Sequence, residues 1–356
     1  MELLDSEQIT FNNDNNNHYD NESIPIDVKY STILENHDKY DKKNAGIKYF
    51  ESGPTLAYVT PWNNHGYDVA KIFKGKFDYI SPTWYTVSRR QPKRYDLIGS
   101  HDVDQGWIKN VRVKRKEDEK IMGKIVPRFE FHNWNQLDYE NFIRNPEEAE
   151  ALVNVLTKEC RNHGFDGMVL EAGYPVSLRD FVRKLGKELH KESRELILVM
   201  NPRIHFTAAQ FEDFSQFVDL FSVMTYDYSS AKNPGPNAPI NWVENNIISL
   251  TPTSINRNKI LLGLNMYGID FSQRGEMDHV IRNNYIDKLR YYKPKIEWNY
   301  NAGEHRLQYK ENGVLHEVWF PSLKSIKTRI DMAEDYGTGL SLWEIGQGLD
   351  YFYDLL

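Results

Sequence analysis

Cysteine is almost missing from this chain of 356 residues: Cys160 stands alone, so no disulfide can form within it. A domain of this size can be stable without one, and Cys160 reads as a small hydrophobe on the inner face of a helix. No run of 18 or more apolar residues occurs, so no membrane-spanning helix is expected. The opening Met1-Glu2-Leu3-Leu4-Asp5 has neither a basic nor an apolar leader segment, so no secretory signal is visible as written. Positive charge is not in excess either. With 44 Lys and Arg against 51 Asp and Glu, the net charge is −7. A nucleic-acid partner needs a concentrated basic face, and none is expected here. The run Lys114 to Lys120 mixes both signs and reads as a solvated segment. No Gly-x-Gly-x-x-Gly follows the first apolar run, which removes the usual dinucleotide cradle. His101-Asp102-Val103-Asp104 has a spacing seen in metal sites, but Asp104 reads as a helix cap. No cofactor and no metal are expected.

Aromatic residues, in contrast, are abundant: 8 Trp, 22 Tyr and 17 Phe. Each buries ~150–250 Å² when packed, so most of them serve a core. Residues 1–24 are rich in Asn and Asp, too poor in apolar surface to offset ordering entropy, and read as a disordered tail. Residues 25–54 read as an N-terminal extension, either forming a short helix around Tyr40 or draped over the domain. From residue 55 to 356 short β-rich runs alternate with helical patterns. The runs are Leu56–Trp62, Phe77–Val87, Lys124–Phe131, Gly167–Glu171, Leu196–Asn201, Leu220–Tyr228, Lys259–Tyr267 and Gly339–Ile345. Candidate helices fall at 147–161, 177–192, 207–216, 242–250 and 322–336. Alternation of this kind predicts a parallel sheet with helical crossovers, and eight strands predict a TIM (β/α)8 barrel, an α/β fold. Glu311-Asn312-Gly313 is a hairpin-turn signal. It predicts a small β-hairpin insertion at about 286–320, between strand seven and the helix that follows.

In such a barrel, chemistry sits at the C-terminal ends of the strands. Those ends carry Tyr58 and Trp62, Trp84, Glu171, Tyr226 and Asp227, Tyr267, and Trp343 and Glu344. Flat rings beside carboxylates suit a carbohydrate, whose C–H faces stack while its hydroxyls hydrogen-bond.

Asp166-Gly167, Met224-Thr225-Tyr226-Asp227 and Leu340-Ser341-Leu342-Trp343-Glu344 resemble the family 18 glycoside hydrolases, the chitinase family, over about residues 55–350. The hairpin and Val318-Trp319-Phe320 are also similar to spore-cortex glucosaminidases of that family. The resemblance implies Asp-Gly-x-Asp-x-Asp-x-Glu along strand four, with the last Glu as general acid and the substrate's own acetamido group as nucleophile. Here Val169 replaces the first inner Asp, Glu171 the second, and Gly173 the acid. By the same resemblance Trp343 floors the central subsite and Tyr226 bonds the acetamido carbonyl; binding members often have a non-proline cis peptide after this Trp, and one after Trp343 would support a kept site. It also implies a secreted or lysosomal setting.

Three readings stay open. The first is a non-catalytic chitinase-like lectin that binds chitooligosaccharides or related amino-sugar glycans. The second is a weak glycosidase with Glu171 as its acid. The third is a scaffold for a protein receptor. Glu171 itself reads either as a sugar contact or as a buried acid paired with Arg128 or Arg203.

Overall fold

The computed structural model describes residues 23–116, 118–204 and 206–356. The tail expected at 1–24 lies almost wholly outside the described residues. The barrel strands are Thr55–Val59, Tyr79–Pro82, Lys124–Ile125 continued by Arg128–Phe131, Gly167–Glu171, Glu195–Met200, Leu220–Val223, Ile260–Asn265 and Gly339–Trp343. Neighbours run parallel around the ring, and strand eight pairs with strand one.

Closure depends on strand three. Its first half pairs with strand two, Tyr79 opposite Lys124, and its second half with strand four, Arg128 opposite Val169. Pro127, which has no N–H to give, sits at the break between the halves. Val126 N–H reaches Ile80 O at 3.0 Å on one side, and Val169 N–H reaches Pro127 O at 2.9 Å on the other. Beyond Pro82, Tyr85–Gln91 resumes alongside strand three and folds back as Arg94–Ile98.

The strands are buried on both faces, as their near-continuous apolar runs require. Leu56, Tyr58, Val126, Val169, Ile197 and Leu261 fill the lumen, with Met224 and Trp343 at its edge. A larger cluster packs the outer faces against the helices. The five expected helices appear as Pro146–His163, Arg179–Lys191, Ala208–Phe214, Ile240–Leu250 and Leu323–Tyr336. Capping boxes at Thr207 and Ser322 start two of them, and left-handed Gly164 and Gly337 stop two. Asp104 is a helix cap, accepting from Gly106 N–H at 2.8 Å and Trp107 N–H at 2.9 Å.

The hairpin turns at Asn312 (φ 50°) and Gly313 (φ 80°), the left-handed pair that a two-residue turn demands. It belongs to a larger unit. Met277–Val280, Gly268–Ser272, Val314–Trp319, Glu304–Glu311 and Ile296–Asn299 form one antiparallel sheet, with the helix Arg282–Tyr292 beside it. In the N-terminal extension the helix is Tyr30–Asn36, earlier than expected. The extension is tied down by His305 Nε2 to Ile26 O at 2.8 Å and by Asp350 N–H to His37 O at 2.9 Å. After strand eight the chain ends in a buried 3-10 helix, Asp350–Leu355. No described helix is long and apolar enough to cross a membrane.

Gly263 shows how tightly strands six and seven approach. A Cβ there would meet Val223 O at 2.3 Å and the Tyr226 ring at 3.0 Å. Gly263→Ala should therefore destabilise by about 1–3 kcal/mol through overpacking, read as a lowered midpoint in urea unfolding. An unchanged midpoint would mean that the two strands can part freely.

Candidate functional site

Strand four delivers alternate side chains to the lumen, so Gly167, Val169 and Glu171 share one face. Gly167 has no room for more, since a Cβ there would lie 2.1 Å from Glu195 O. Val169 is fully buried among the lumen residues. Asp166 points away and ties the strand entry, accepting from Ile125 N–H at 2.7 Å and Arg112 at 2.6 Å. Gly173 is exposed and offers only its N–H, which donates to the Tyr139 hydroxyl at 3.2 Å.

Glu171 is paired. Arg128 Nη1 donates to it at 2.9 Å, and Arg128 Nη2 donates to Glu130 at 2.9 Å. The two glutamates are register partners on neighbouring parallel strands, so one arginine spans both. Burial pushes the Glu171 carboxyl above the ordinary glutamate range, against the pull of Arg128 and with a further push from Glu130. The same guanidinium lies 5.3 Å from the centre of the Trp343 ring, a cation–π contact.

Trp343 is only partly buried and packs on Tyr58 at 5.1 Å. The Tyr58 hydroxyl donates to Ser222 Oγ at 2.8 Å, and Ser222 reaches Ser341 Oγ at 3.2 Å, which spans the lumen. Tyr226 is 6% exposed, and its hydroxyl has no protein partner among the described residues. Asp227 stands in the left-handed region at φ 60°. Its N–H donates to Asn237 Oδ1 at 2.7 Å, its carbonyl accepts from Arg203 at 2.5 Å, and its carboxylate accepts from the Tyr267 hydroxyl. Tyr226 and Tyr267 meet edge to face at 6.3 Å.

Six of the nine candidate residues thus converge on the mouth: Tyr58, Glu171, Tyr226, Asp227, Tyr267 and Trp343. Trp62 stands on the loop after strand one, 71% exposed. Two expectations are corrected. Trp84 is 3% exposed and packs in the outer layer on Trp107 and Phe165, with Nε1 donating to Tyr67 at 2.8 Å. Alternation from the lumen-facing Tyr79 sends Trp84 outward, on the same side as Ile80. Glu344 is wholly buried, because alternation sends it outward once Trp343 points in. It accepts from Asn63 at 2.5 Å and from Gly346 N–H at 2.9 Å, fastening the loop after strand one. The peptide bond after Trp343 is trans, as are all those described, so the supporting sign of a cis bond there is not met.

Arg203, expected as an alternative partner of Glu171, instead donates to the Asp227 carbonyl. Asn237 was missed as a neighbour of Asp227, and the Pro-rich stretch Pro234 to Pro239 that brackets it was its sequence signal. No group of three or more metal-ligating side chains forms among the described residues.

The model of the glycosyl hydrolases family 18 matches residues 55–348, and the chain belongs to that family. The cortical fragment-lytic enzyme of Bacillus cereus is 31% identical over 150 residues, 40% of this chain and 34% of that protein. The match thus spans about a third of that relative's length. The uncharacterized glycosylase YvbX of Bacillus subtilis is 25% identical over 276 residues, 76% of this chain and 73% of its own. Among solved structures, the Bacillus cereus spore cortex-lytic enzyme SleL superposes with a TM-score of 0.68 at 18% identity, covering 85% of this chain and 73% of that one. A chitinase from Chromobacterium violaceum gives 0.69 at 18% identity, covering 85% and 97%. Both share the fold.

Burial pushes the Glu344 carboxyl up to about 7, against the bonds from Gly346 and Asn63. A group whose folded pKa is raised gives stability that is fully present below its unfolded value near 4.5 and is lost as pH rises through about 7. Relative to Glu344→Gln, the wild type should lose on the order of 3 kcal/mol between pH 5 and pH 8. Urea midpoints taken across that range check it, and parallel profiles for the two proteins would refute it.

Proposed function

We propose that this chain is a chitinase-like lectin that binds N-acetylglucosamine-containing oligosaccharides without cleaving them. The observation that carries this reading is position 173, where the family pattern puts its general acid and this chain has glycine. A lost general acid costs ~10²–10⁴-fold from acid–base catalysis alone. The binding half of the mouth remains: the partly exposed Trp343 ring, the unpartnered Tyr226 hydroxyl and the Asp227 carboxylate. Glu171, held by Arg128, stands ready as an acceptor for an amide N–H or a sugar hydroxyl.

Within the family we also propose kinship with chitinase domain-containing protein 1, the stabilin-interacting chitinase-like protein. Its supports are the strings Tyr58-Val59-Thr60-Pro61-Trp62-Asn63, His65-Gly66-Tyr67-Asp68 and His101-Asp102-Val103-Asp104-Gln105-Gly106-Trp107. Pro234 to Pro239 and Trp343 to Leu356 add to them. A secreted or lysosomal setting follows from that kinship, and a glycan on Asn21, in the sequon Asn21-Glu22-Ser23, would mark export.

One observation favours a second reading. The Glu171 carboxyl is pushed up by burial, the direction a general acid requires. On that reading Glu171 is the acid of a weak family 18 glycosidase.

Calorimetry with chitotetraose should give saturable binding that Trp343→Ala weakens roughly 30-fold, the scale of a lost aromatic anchor. No binding to any amino-sugar oligomer would end the lectin reading. Incubation of the wild type at high concentration with a chitotriose reporter should give no turnover. Turnover that disappears in Glu171→Gln would establish the second reading instead.

A further inference from the structure

The rim loop after strand six is fixed from outside the barrel, through a buried ion pair. Arg329, on the helix Leu323–Tyr336, is 4% exposed at its side chain and donates to Glu304 at 3.2 Å. Glu304 opens the hairpin strand Glu304–Glu311 of the inserted sheet. Its carboxylate accepts from Asn237 N–H at 3.1 Å and from Ala238 N–H at 2.6 Å. Arg329 closes the loop from the other side by donating to Ala238 O. A buried charge pair is kept only where its remaining lone pairs and protons are satisfied, and here backbone groups of the rim loop and its neighbours satisfy them.

Asn237, 1% exposed, passes this fixation inward. Its Oδ1 accepts from Asp227 N–H at 2.7 Å, and its carbonyl accepts from Tyr228 N–H at 2.9 Å. Asp227 at φ 60° occupies a region that side chains with a Cβ seldom adopt, and such conformations persist where the surroundings over-determine them. The turn matters to the mouth. Tyr226 faces the lumen, so an extended Asp227 would face away from it. The left-handed turn instead brings its carboxylate to the Tyr267 hydroxyl.

We propose that Asn237 is the positioning residue for Asp227, and that the buried Glu304–Arg329 pair of the inserted sheet sets Asn237. The inserted sheet thereby fixes one wall of the ligand site without touching ligand. This rests on the saccharide reading of the mouth.

Three variants test it: Asn237→Ala, Asp227→Ala and the double variant. Calorimetry with chitotetraose should show Asn237→Ala weakening binding about tenfold, the scale of one lost buried hydrogen bond. The double variant should bind no more weakly than Asp227→Ala alone, because Asn237 acts through Asp227. Hydrogen exchange of the ligand-free proteins should show faster exchange at the Asp227 and Tyr228 amides in Asn237→Ala, with the barrel ladder unchanged. Additive losses in the double variant, or unchanged protection at Asp227, would overturn the proposal. Absence of chitotetraose binding by the wild type would bring down the saccharide reading instead, and the exchange data would still decide whether Asn237 holds Asp227.

Discussion

The barrel is closed by one strand that serves two neighbours in turn. Lys124 and Ile125 complete strand two, Arg128 to Phe131 complete strand four, and Pro127 stands where the ladder changes hands. The strands from four to eight pair with both neighbours along one unbroken run, so the division at Pro127 is particular to strand three. The break also has a chemical result. It sets Arg128 and Glu130 at the level of Val169 and Glu171, on the lumen side, so closure of the sheet and assembly of the charged floor are one event.

That floor stands where the resemblance to the family implied a row of inner aspartates. A carboxylate row in a lumen needs protons or cations to suppress mutual repulsion. Here one apolar residue, one glutamate and one arginine take over. Arg128 satisfies Glu171 and Glu130 and lies near the Trp343 ring. Removing one partner leaves a half-buried charge without its compensation, at a cost below that of a fully buried pair. The floor is therefore self-consistent as it stands, and it is tuned to hold a ring and a carboxylate in place.

Much of this was legible in the sequence, and the failures have physical causes. All eight strands could be read because parallel strands buried on both faces leave near-continuous apolar runs, and the helices because their faces repeat every three to four residues. Trp84 and Glu344 depart from expectation because a residue's place at a strand end does not say which of the two alternating faces it takes. Alternation from the lumen-facing Tyr79 sends Trp84 outward, and Trp343 uses the inward position beside Glu344. Asp227 is the opposite case. Alternation from Tyr226 would exclude it, and a left-handed backbone that no sequence rule announces returns it to the mouth. The size of the inserted sheet was hidden because Gly268–Ser272 follows strand seven almost without a break.

The hydroxyl bridge from Tyr58 through Ser222 to Ser341 joins strands one, six and eight across the barrel axis. Three positions far apart in the chain are thereby bound into a single unit of inheritance. Serine to alanine at the middle position strands a buried phenol, while phenylalanine at the first leaves Ser222 with Ser341 as its remaining partner in the bridge. Drift at these sites is viable chiefly as a concerted change, so the trio should vary together among descendants of this sequence or stay as it is.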